Sequence, residues 1–397
     1  MPTIESFHDA VLNIQPINLL EYVDVIPEFK VMNDCQHENP HHKEGSILVH
    51  ANMAGAEVLK YMDQVPEQND KVALYLATIL HDIGKPSSKI YKEAKKKSVY
   101  YGHDKAGVPL AKDFLFKYFP ELDYPTKNKI LSLIEWHMRP RMMIKDGTKD
   151  KKLNILSLCV NTKLLYLLSM ADTLGRTADD MSGCDLLEKF KTECERLNIW
   201  DRPYVVPKSD RLSNHAYVLA RWNILMNGRP ETQETLDQAI LLASKLPKFQ
   251  LLILCGPPAS GKTFYRNNLL KQFPGTKVVS MDDKRQELLG DVNDQSANTA
   301  MFQICCQELR TAMQKRQSAI WDATSASKAH RKVIIDIARK HGALVGCIFF
   351  DLPLQTLLER NANREKKVPE SVVIEYYYKR MERVESFEAD KVTIISQ

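Results

Sequence analysis

Up to about residue 200, apolar side chains recur at helical spacing. Segments 51–60, 72–80 and 130–136 place them at i, i+3 and i+4, and two-residue alternation is scarce there. Pro125 with Thr126 predicts a helix start, and Pro140 stops the segment that carries His137. Between residues 201 and 247 the pattern weakens, punctuated by Pro203, Pro207, Gly228 and Pro230; helices are expected there at 214–226 and 231–244. After Pro247 the pattern changes. Residues 249–255, apolar but for Gln250, form a run of strand length, with further short strands expected at 276–280, 318–322 and 343–350. Helical stretches at 262–273, 297–314 and 329–340 separate them. Such alternation predicts a parallel sheet with crossover helices. The expected architecture is an all-α domain over 1–200, a helical connector over 201–247 and an α/β domain over 248–397.

A chain of 397 residues is long enough for two cores, and 44% hydrophobic with 26% charged residues is ordinary for a soluble protein. A net charge of +5 permits a nucleic-acid partner without requiring one. The eight cysteines form no C-x-x-C pair, which fits free thiols in a reducing cytosol. The N-terminus lacks a basic, apolar signal pattern, and no apolar run approaches the roughly 20 residues of a membrane span. The expectation is a soluble, cytoplasmic protein with no membrane partner. The cluster from Lys92 to Lys97 is either a solvated loop or, flanked by Tyr91, Tyr100 and Tyr101, the lining of a polynucleotide path.

The strongest chemical signal is the run Gly256, Pro257, Pro258, Ala259, Ser260, Gly261, Lys262, Thr263, which satisfies G-x-x-x-x-G-K-[ST] between a strand and a helix. The glycines let consecutive N–H groups turn toward phosphate, and the helix N-terminus adds its dipole. Gly256, Ser260, Gly261, Lys262 and Thr263 are the expected nucleotide-binding set. Lys262 reaches the β- and γ-phosphates, and Thr263 gives its hydroxyl to Mg²⁺. After the second strand come Asp282, Asp283 and Arg285. A carboxylate at that sheet edge is placed either to accept a hydroxyl proton or to open a helix; Arg285 can grip an acceptor phosphate. Arg360 and Arg364, at i and i+4, read either as one helical face over the phosphates or as a solvated pair.

Together these elements resemble the polynucleotide 5′-kinase family, whose pattern is a phosphate loop, Asp-Asp-x-Arg, and Arg-x-x-x-Arg before Val-Pro (here Val368 and Pro369). The resemblance implies Asp282 as catalytic base, Arg285 on the acceptor phosphate, and Arg360 and Arg364 on the γ-phosphate. Trp321, Asp322, Ala323 and Thr324 match the family's Asp-Thr-Asn segment only loosely, so no role for Asp322 follows.

Upstream lies an ordered series of metal-ligand types: His50, His81 and Asp82 (followed by Gly84 and Lys85), His103, His137 and Asp172. Any one histidine alone would read as structural. The ordered set resembles the HD phosphohydrolase superfamily over roughly residues 40–180. Within it, the resemblance is to the HD domains of tRNA nucleotidyltransferases, through the lead-in His42 and Glu44 and the ending Ala171, Asp172, Gly175 and Arg176. The resemblance puts His50, His81, Asp82 and Asp172 on one metal, with Asp82 bridging to a second held by His103 and His137. Imidazole and carboxylate donors suit Mn, Co, Ni, Zn, Cu or Fe. Lys85 reads either as a stabiliser of charge on phosphorus or as a helix C-terminal cation.

An HD phosphoesterase followed by such a kinase resembles the bacterial HD-Pnk end-healing enzymes over nearly the full chain. That family implies 2′,3′-cyclic phosphodiesterase and 2′/3′-phosphatase activity, plus 5′-OH phosphorylation from ATP, GTP or another NTP with Mg²⁺. The implied partners are RNA or DNA ends and a polynucleotide ligase that takes the products. Two other readings stay open: an HD nucleotidase fused to a small-molecule kinase, and a non-catalytic nucleotide sensor.

Overall fold

The computed structural model describes residues 2–36, 45–93, 97–177, 183–202, 249–290, 297–385 and 387–396. The chain divides into two compact units, Met1–Tyr204 and Val205–Gln397. The expected connector helices, the lead-in His42 and Glu44, and the middle of the lysine cluster lie outside the described residues.

The first unit is helical. At its centre runs the helix Gln68–Leu80, buried at every position from Val72 to Leu80. A helix apolar all round must be enclosed on all sides, and Ile47–Leu59, Tyr124–Trp136 and Thr162–Leu174 pack against it. Asp123 caps Tyr124–Trp136, with the expected proline in the first turn. Among the described residues the only strands here form a hairpin, β1 (Ile90–Lys92) and β2 (Lys97–Val99), which the lysine-rich sequence does not announce. No single described helix is long and apolar enough to cross a membrane. The pair Asp150–Cys159 and Thr162–Leu174 would pass only jointly, across a 91° bend.

The second unit holds a five-stranded parallel sheet: β3 (Gln250–Cys255), β4 (Lys277–Ser280), β5 (Ala319–Asp322), β6 (Leu344–Phe350) and β7 (Lys391–Ile395), in the order β4-β5-β3-β6-β7. Alternate residues of β3 serve opposite faces. Leu251, Ile253 and Cys255 join the core under Asn298–Gln314 and Lys328–Lys340. Leu252 and Leu254 face Tyr265, Leu269 and Leu270 of the helix Lys262–Gln272. Four strands stand where the apolar runs predict them; β7 is an addition. Because β3 is central and its neighbours β5 and β6 follow by crossovers, a crevice opens at the C-terminal ends of β3, β4 and β5.

Candidate active sites

The histidine–aspartate cluster is assembled from helix ends. His81 is the C-cap of Gln68–Leu80, His137 the C-cap of Tyr124–Trp136, and His103 the first residue of His103–Tyr118. His50 and Asp172 come from the interiors of Ile47–Leu59 and Thr162–Leu174. His81, His103 and His137 each direct Nδ1 to the carbonyl three residues earlier: Thr78 at 2.7 Å, Tyr100 at 2.8 Å and Ile134 at 2.7 Å. A carbonyl only accepts, so Nδ1 carries the hydrogen, and in the neutral ring Nε2 presents its lone pair to the site.

Asp82 sits between these rings. Its Oδ2 is 3.2 Å from His81 Nε2, 3.7 Å from His50 Nε2 and 2.6 Å from Lys85 Nζ. Its Oδ1 is 3.3 Å from His103 Nε2 and 4.0 Å from His137 Nε2. Two groups with metal-ligand geometry result, His50/His81/Asp82 and Asp82/His103/His137, sharing the aspartate. Asp172 Oδ1 borders the first, 3.1 Å from His50 Nε2 and 3.8 Å from His81 Nε2. Lys85 therefore belongs to the cluster by contact. Gly84 permits the closure: a Cβ there would lie 2.1 Å from the His103 carbonyl oxygen and 2.5 Å from Gly107 N.

The donors fit a transition metal better than a hydrogen-bond network. His81 Nε2 is buried and makes no hydrogen bond, although it lies 3.2 Å from Asp82 Oδ2, which Lys85 Nζ already holds at 2.6 Å. The Nε2 atoms of His103 and His137 face each other at 3.1 Å, where two lone pairs repel unless a proton or cation lies between them. Burial, reinforced by the charges of His103 and His81, pushes His137 down to about 3. For His103 burial opposes protonation, but the Asp82 hydrogen bond and charge outweigh it and raise the ring. Burial also opposes ionisation of Asp82 and Asp172. The charges of His81 and Lys85 for Asp82, and of Arg141 for Asp172, hold both well below the usual carboxylate range. Arg141 donates to Asp172 Oδ2 at 2.5 Å and to Thr173 Oγ1 at 3.1 Å. No motif marks it in the sequence; its place emerges only when Arg139–Lys145 packs near Thr162–Leu174.

In the second unit Gly261, with φ +96°, caps the helix Lys262–Gln272 and turns the loop that follows β3. Lys262 Nζ donates to the carbonyls of Gly256 at 2.8 Å and Pro257 at 2.7 Å. Its enclosure pushes the amine down to about 8, against the opposing pull of Asp322 and Asp282. Ser260 is buried in the loop and Thr263 is exposed on the helix's first turn. Arg360 reaches over from Leu354–Ala362, its Nη1 3.3 Å from the Ser260 carbonyl oxygen.

Arg360 and Arg364 do not share a helical face. The helix ends at Ala362 because buried Asn361 bonds both backbone groups of Val368, donating to its O at 2.7 Å and accepting from its N at 3.1 Å. That latch folds 363–367 into a loop. Arg364 sits on it, close enough for its charge to depress Lys262.

Asp282 and Asp283 open the helix Met281–Leu289, where Ser280 Oγ accepts from Asp283 N at 3.1 Å. Asp282 is exposed; buried Arg285 holds it through Nη2 and lies 3.3 Å from Asn298 Oδ1. Arg285 thus orients the expected base. Asp322 ends β5, buried, and accepts from Arg266 Nη1 at 2.8 Å. Arg266 also meets Asp283, at 3.2 Å. Burial raises the Asp322 carboxyl, opposed by Arg266 and Lys262. Asp322 therefore belongs to the crevice despite its loose motif match. Arg266, one turn beyond Lys262, was legible only as helical spacing from the phosphate loop.

A helical cluster of buried histidines and aspartates and a P-loop at the switch point of a parallel sheet define a phosphohydrolase-type domain and a kinase-like domain. The family comparisons agree: the HD domain matches residues 49–172 and the AAA domain matches residues 251–383. The chain carries an HD domain followed by a kinase-like P-loop domain. Among solved structures, a chain of the Pnkp1/Rnl/Hen1 RNA repair complex is 23% identical over 34% of this chain and 44% of its own, with a TM-score of 0.31. A gluconokinase from Sinorhizobium meliloti 1021 is 13% identical over 38% of this chain and 84% of its own, with a TM-score of 0.27. Cas3 from T. fusca is 11% identical over 98% of this chain and 48% of its own, with a TM-score of 0.17. The chain thus spans less than half the length of the repair-complex chain, and no curated protein matches it.

Proposed function

We propose that the protein heals broken nucleic-acid ends, its HD domain acting on 2′,3′-cyclic and 2′- or 3′-phosphates and its P-loop domain phosphorylating a 5′-OH from an NTP with Mg²⁺. The observation that carries this reading is that one chain holds both a buried histidine–aspartate cluster around Asp82 and a P-loop crevice around Lys262. One is built to take phosphate off and the other to put it on. Their products, a 3′-OH and a 5′-phosphate, are what a polynucleotide ligase joins.

In the kinase crevice Asp282 accepts the proton of the acceptor hydroxyl as its oxygen attacks the γ-phosphorus, and the nucleoside diphosphate leaves. Arg285 keeps Asp282 oriented and lends its positive charge to the acceptor side of the crevice. Lys262, Arg360 and Arg364 offset the charge that builds on the phosphoryl oxygens. Thr263 offers its hydroxyl to Mg²⁺ carried by the nucleotide. In the HD domain, His50, His81, Asp82 and Asp172 would hold one transition metal, and Asp82, His103 and His137 a second. Such metals supply a Lewis acid and a water of lowered pKa. The protein's part is to fix the imidazole tautomers, keep both aspartates ionised, and set Lys85 beside the phosphate.

The test pairs one protein with three substrates: a 5′-OH oligonucleotide and a free nucleoside, each with ATP and Mg²⁺, and an oligonucleotide ending in a 2′,3′-cyclic phosphate with Mn²⁺. End healing requires phosphorylation of the oligonucleotide and opening of the cyclic end. Phosphorylation of the nucleoside alone would instead make this a nucleotide-metabolism enzyme, and inactivity on all three would favour a sensor.

A further inference from the structure

The hairpin β1–β2 stands directly beside the histidine cluster. The Tyr100 carbonyl just beyond β2 accepts the His103 Nδ1 hydrogen at 2.8 Å. Lys85, whose Nζ touches Asp82 at 2.6 Å, lies 5.6 Å over the Tyr100 ring. Antiparallel pairing sets Ile90 opposite Val99 and Lys92 opposite Lys97. Alternate positions share a face, so Ile90, Lys92, Lys97, Val99 and, by the same parity, Tyr101 line one side. Lys92 Nζ lies 4.7 Å over the Tyr101 ring, which places those two side chains together. This side is open: Ile90 is 53% exposed and Tyr101 65%. Elsewhere the helical unit packs its aromatics, as Phe7, Phe29, Phe114 and Phe119 do; among the described residues its exposed tyrosines are Tyr91, on β1, and Tyr101, just beyond β2. Its described charges are Lys92 and Lys97 against Glu93.

We propose that this face is a stacking platform for the single strand that leads into the phosphoesterase site, with Tyr101 and Ile90 taking a base and Lys92 and Lys97 its phosphates. The inference rests on the HD domain being a nucleic-acid phosphoesterase. An exposed ring beside two ammonium groups is the recurrent chemistry of sequence-tolerant strand binding, because every base has a flat face and every linkage a charge. Tyr101 stands two residues before His103 in the chain, so a strand whose terminal phosphate lies at Asp82 and Lys85 has its preceding nucleotide within reach of the hairpin.

The experiment measures phosphoesterase kinetics of the full chain without NTP, on two substrates. One is a 5′-phosphorylated single-stranded oligonucleotide ending in a 2′,3′-cyclic phosphate; the other is a nucleoside 2′,3′-cyclic monophosphate. Tyr101→Ala should raise KM for the oligonucleotide about fivefold or more, the loss of one base–aromatic stack, and leave the mononucleotide kinetics unchanged. Tyr101→Phe should restore the wild-type KM. Lys92→Ala and Lys97→Ala should each lower the salt dependence of oligonucleotide KM by about one unit of log–log slope. Unchanged oligonucleotide KM in Tyr101→Ala overturns the platform while leaving the phosphoesterase reading intact. Equal losses on both substrates also overturn it, since the tyrosine would then support the site itself. A wild type that opens the mononucleotide but never the oligonucleotide overturns the nucleic-acid reading and the platform with it.

Discussion

At the scale of single residues, the structure shows side chains whose ionisation is set by enclosure. Lys262 illustrates the consequence for pH. Its amine, pushed down to about 8, is partly neutral in mildly alkaline solution. A bound triphosphate favours the ammonium form and so raises its pKa above that value. Nucleotide affinity should therefore be full below pH 8 and fall as the pH rises through it, by up to about tenfold per unit. Lys262→Arg keeps its charge and should remove the decline, even if its fork fits the loop less well. Calorimetric titration with a non-hydrolysable NTP between about pH 7 and about pH 9.5 measures this. Affinity of wild type that stays level across the range would mean that Lys262 is fully charged without nucleotide.

At the scale of elements, two close fits can be tested by substitution. Gly84→Ala would push a Cβ into the main chain at His103 and Gly107, which no rotamer change relieves. The start of His103–Tyr118 must shift, at a cost of about 1–3 kcal/mol. His103 then leaves Asp82, so the variant should melt lower in its helical unit and bind fewer metal equivalents. Unaltered metal content by elemental analysis would show that the turn tolerates the methyl. In the other unit, buried Arg331 donates to Glu388 and to the carbonyls of Ser325, Ala326, Glu382 and Arg383. It ties the segment before β7 to the loop after β5. Arg331→Met would strand Glu388 and cost about 3–5 kcal/mol, read as a lower urea midpoint; adding Glu388→Gln should recover part of it. These fits also show what the sequence withholds. The four strands 250–255, 277–280, 319–322 and 344–350 were legible because they are buried apolar runs. β7 was not: Lys391–Ile395 is short, opens on a lysine, and gains its place from pairing with β6. The Arg360/Arg364 pair was misread for a different reason. Helical spacing predicted Arg364 over Arg360, but the contact from Asn361 to Val368 ended the helix, and nothing local to 360–364 signals it. The residues that the fold gathers into the histidine–aspartate cluster were legible as residue types in order, whereas the Arg141–Asp172 pair required the fold.

At the scale of the whole molecule, each set of site residues lies within one compact unit. His50, His81, Asp82, His103, His137 and Asp172 belong to the first, Lys262, Asp282, Asp322 and Arg360 to the second. Damage to one site should then spare the other. The metals divide in the same way. The first site offers four imidazoles around two carboxylates, a donor set suited to transition metals, whereas magnesium prefers oxygen ligands and keeps its waters. In the second, Thr263 and the neighbouring carboxylates would meet an ion that arrives with nucleotide phosphates, as the proposed kinase reaction requires. Purified protein should accordingly retain transition metal, open cyclic phosphates without added Mg²⁺, and phosphorylate 5′ ends only with it. Asp82→Ala removes the residue shared by both candidate metal groups, so metal content and phosphoesterase activity should fall together while kinase turnover stays near wild type. Lys262→Ala should do the reverse, abolishing 5′ phosphorylation and leaving metal content unchanged. Elemental analysis of the three proteins, paired with assays on 5′-OH and 2′,3′-cyclic ends, decides the matter. A wild type without bound metal that is fully active on cyclic ends in Mg²⁺ alone would reduce the histidines to core packing. Loss of both activities in either variant would mean that the two units work as one machine.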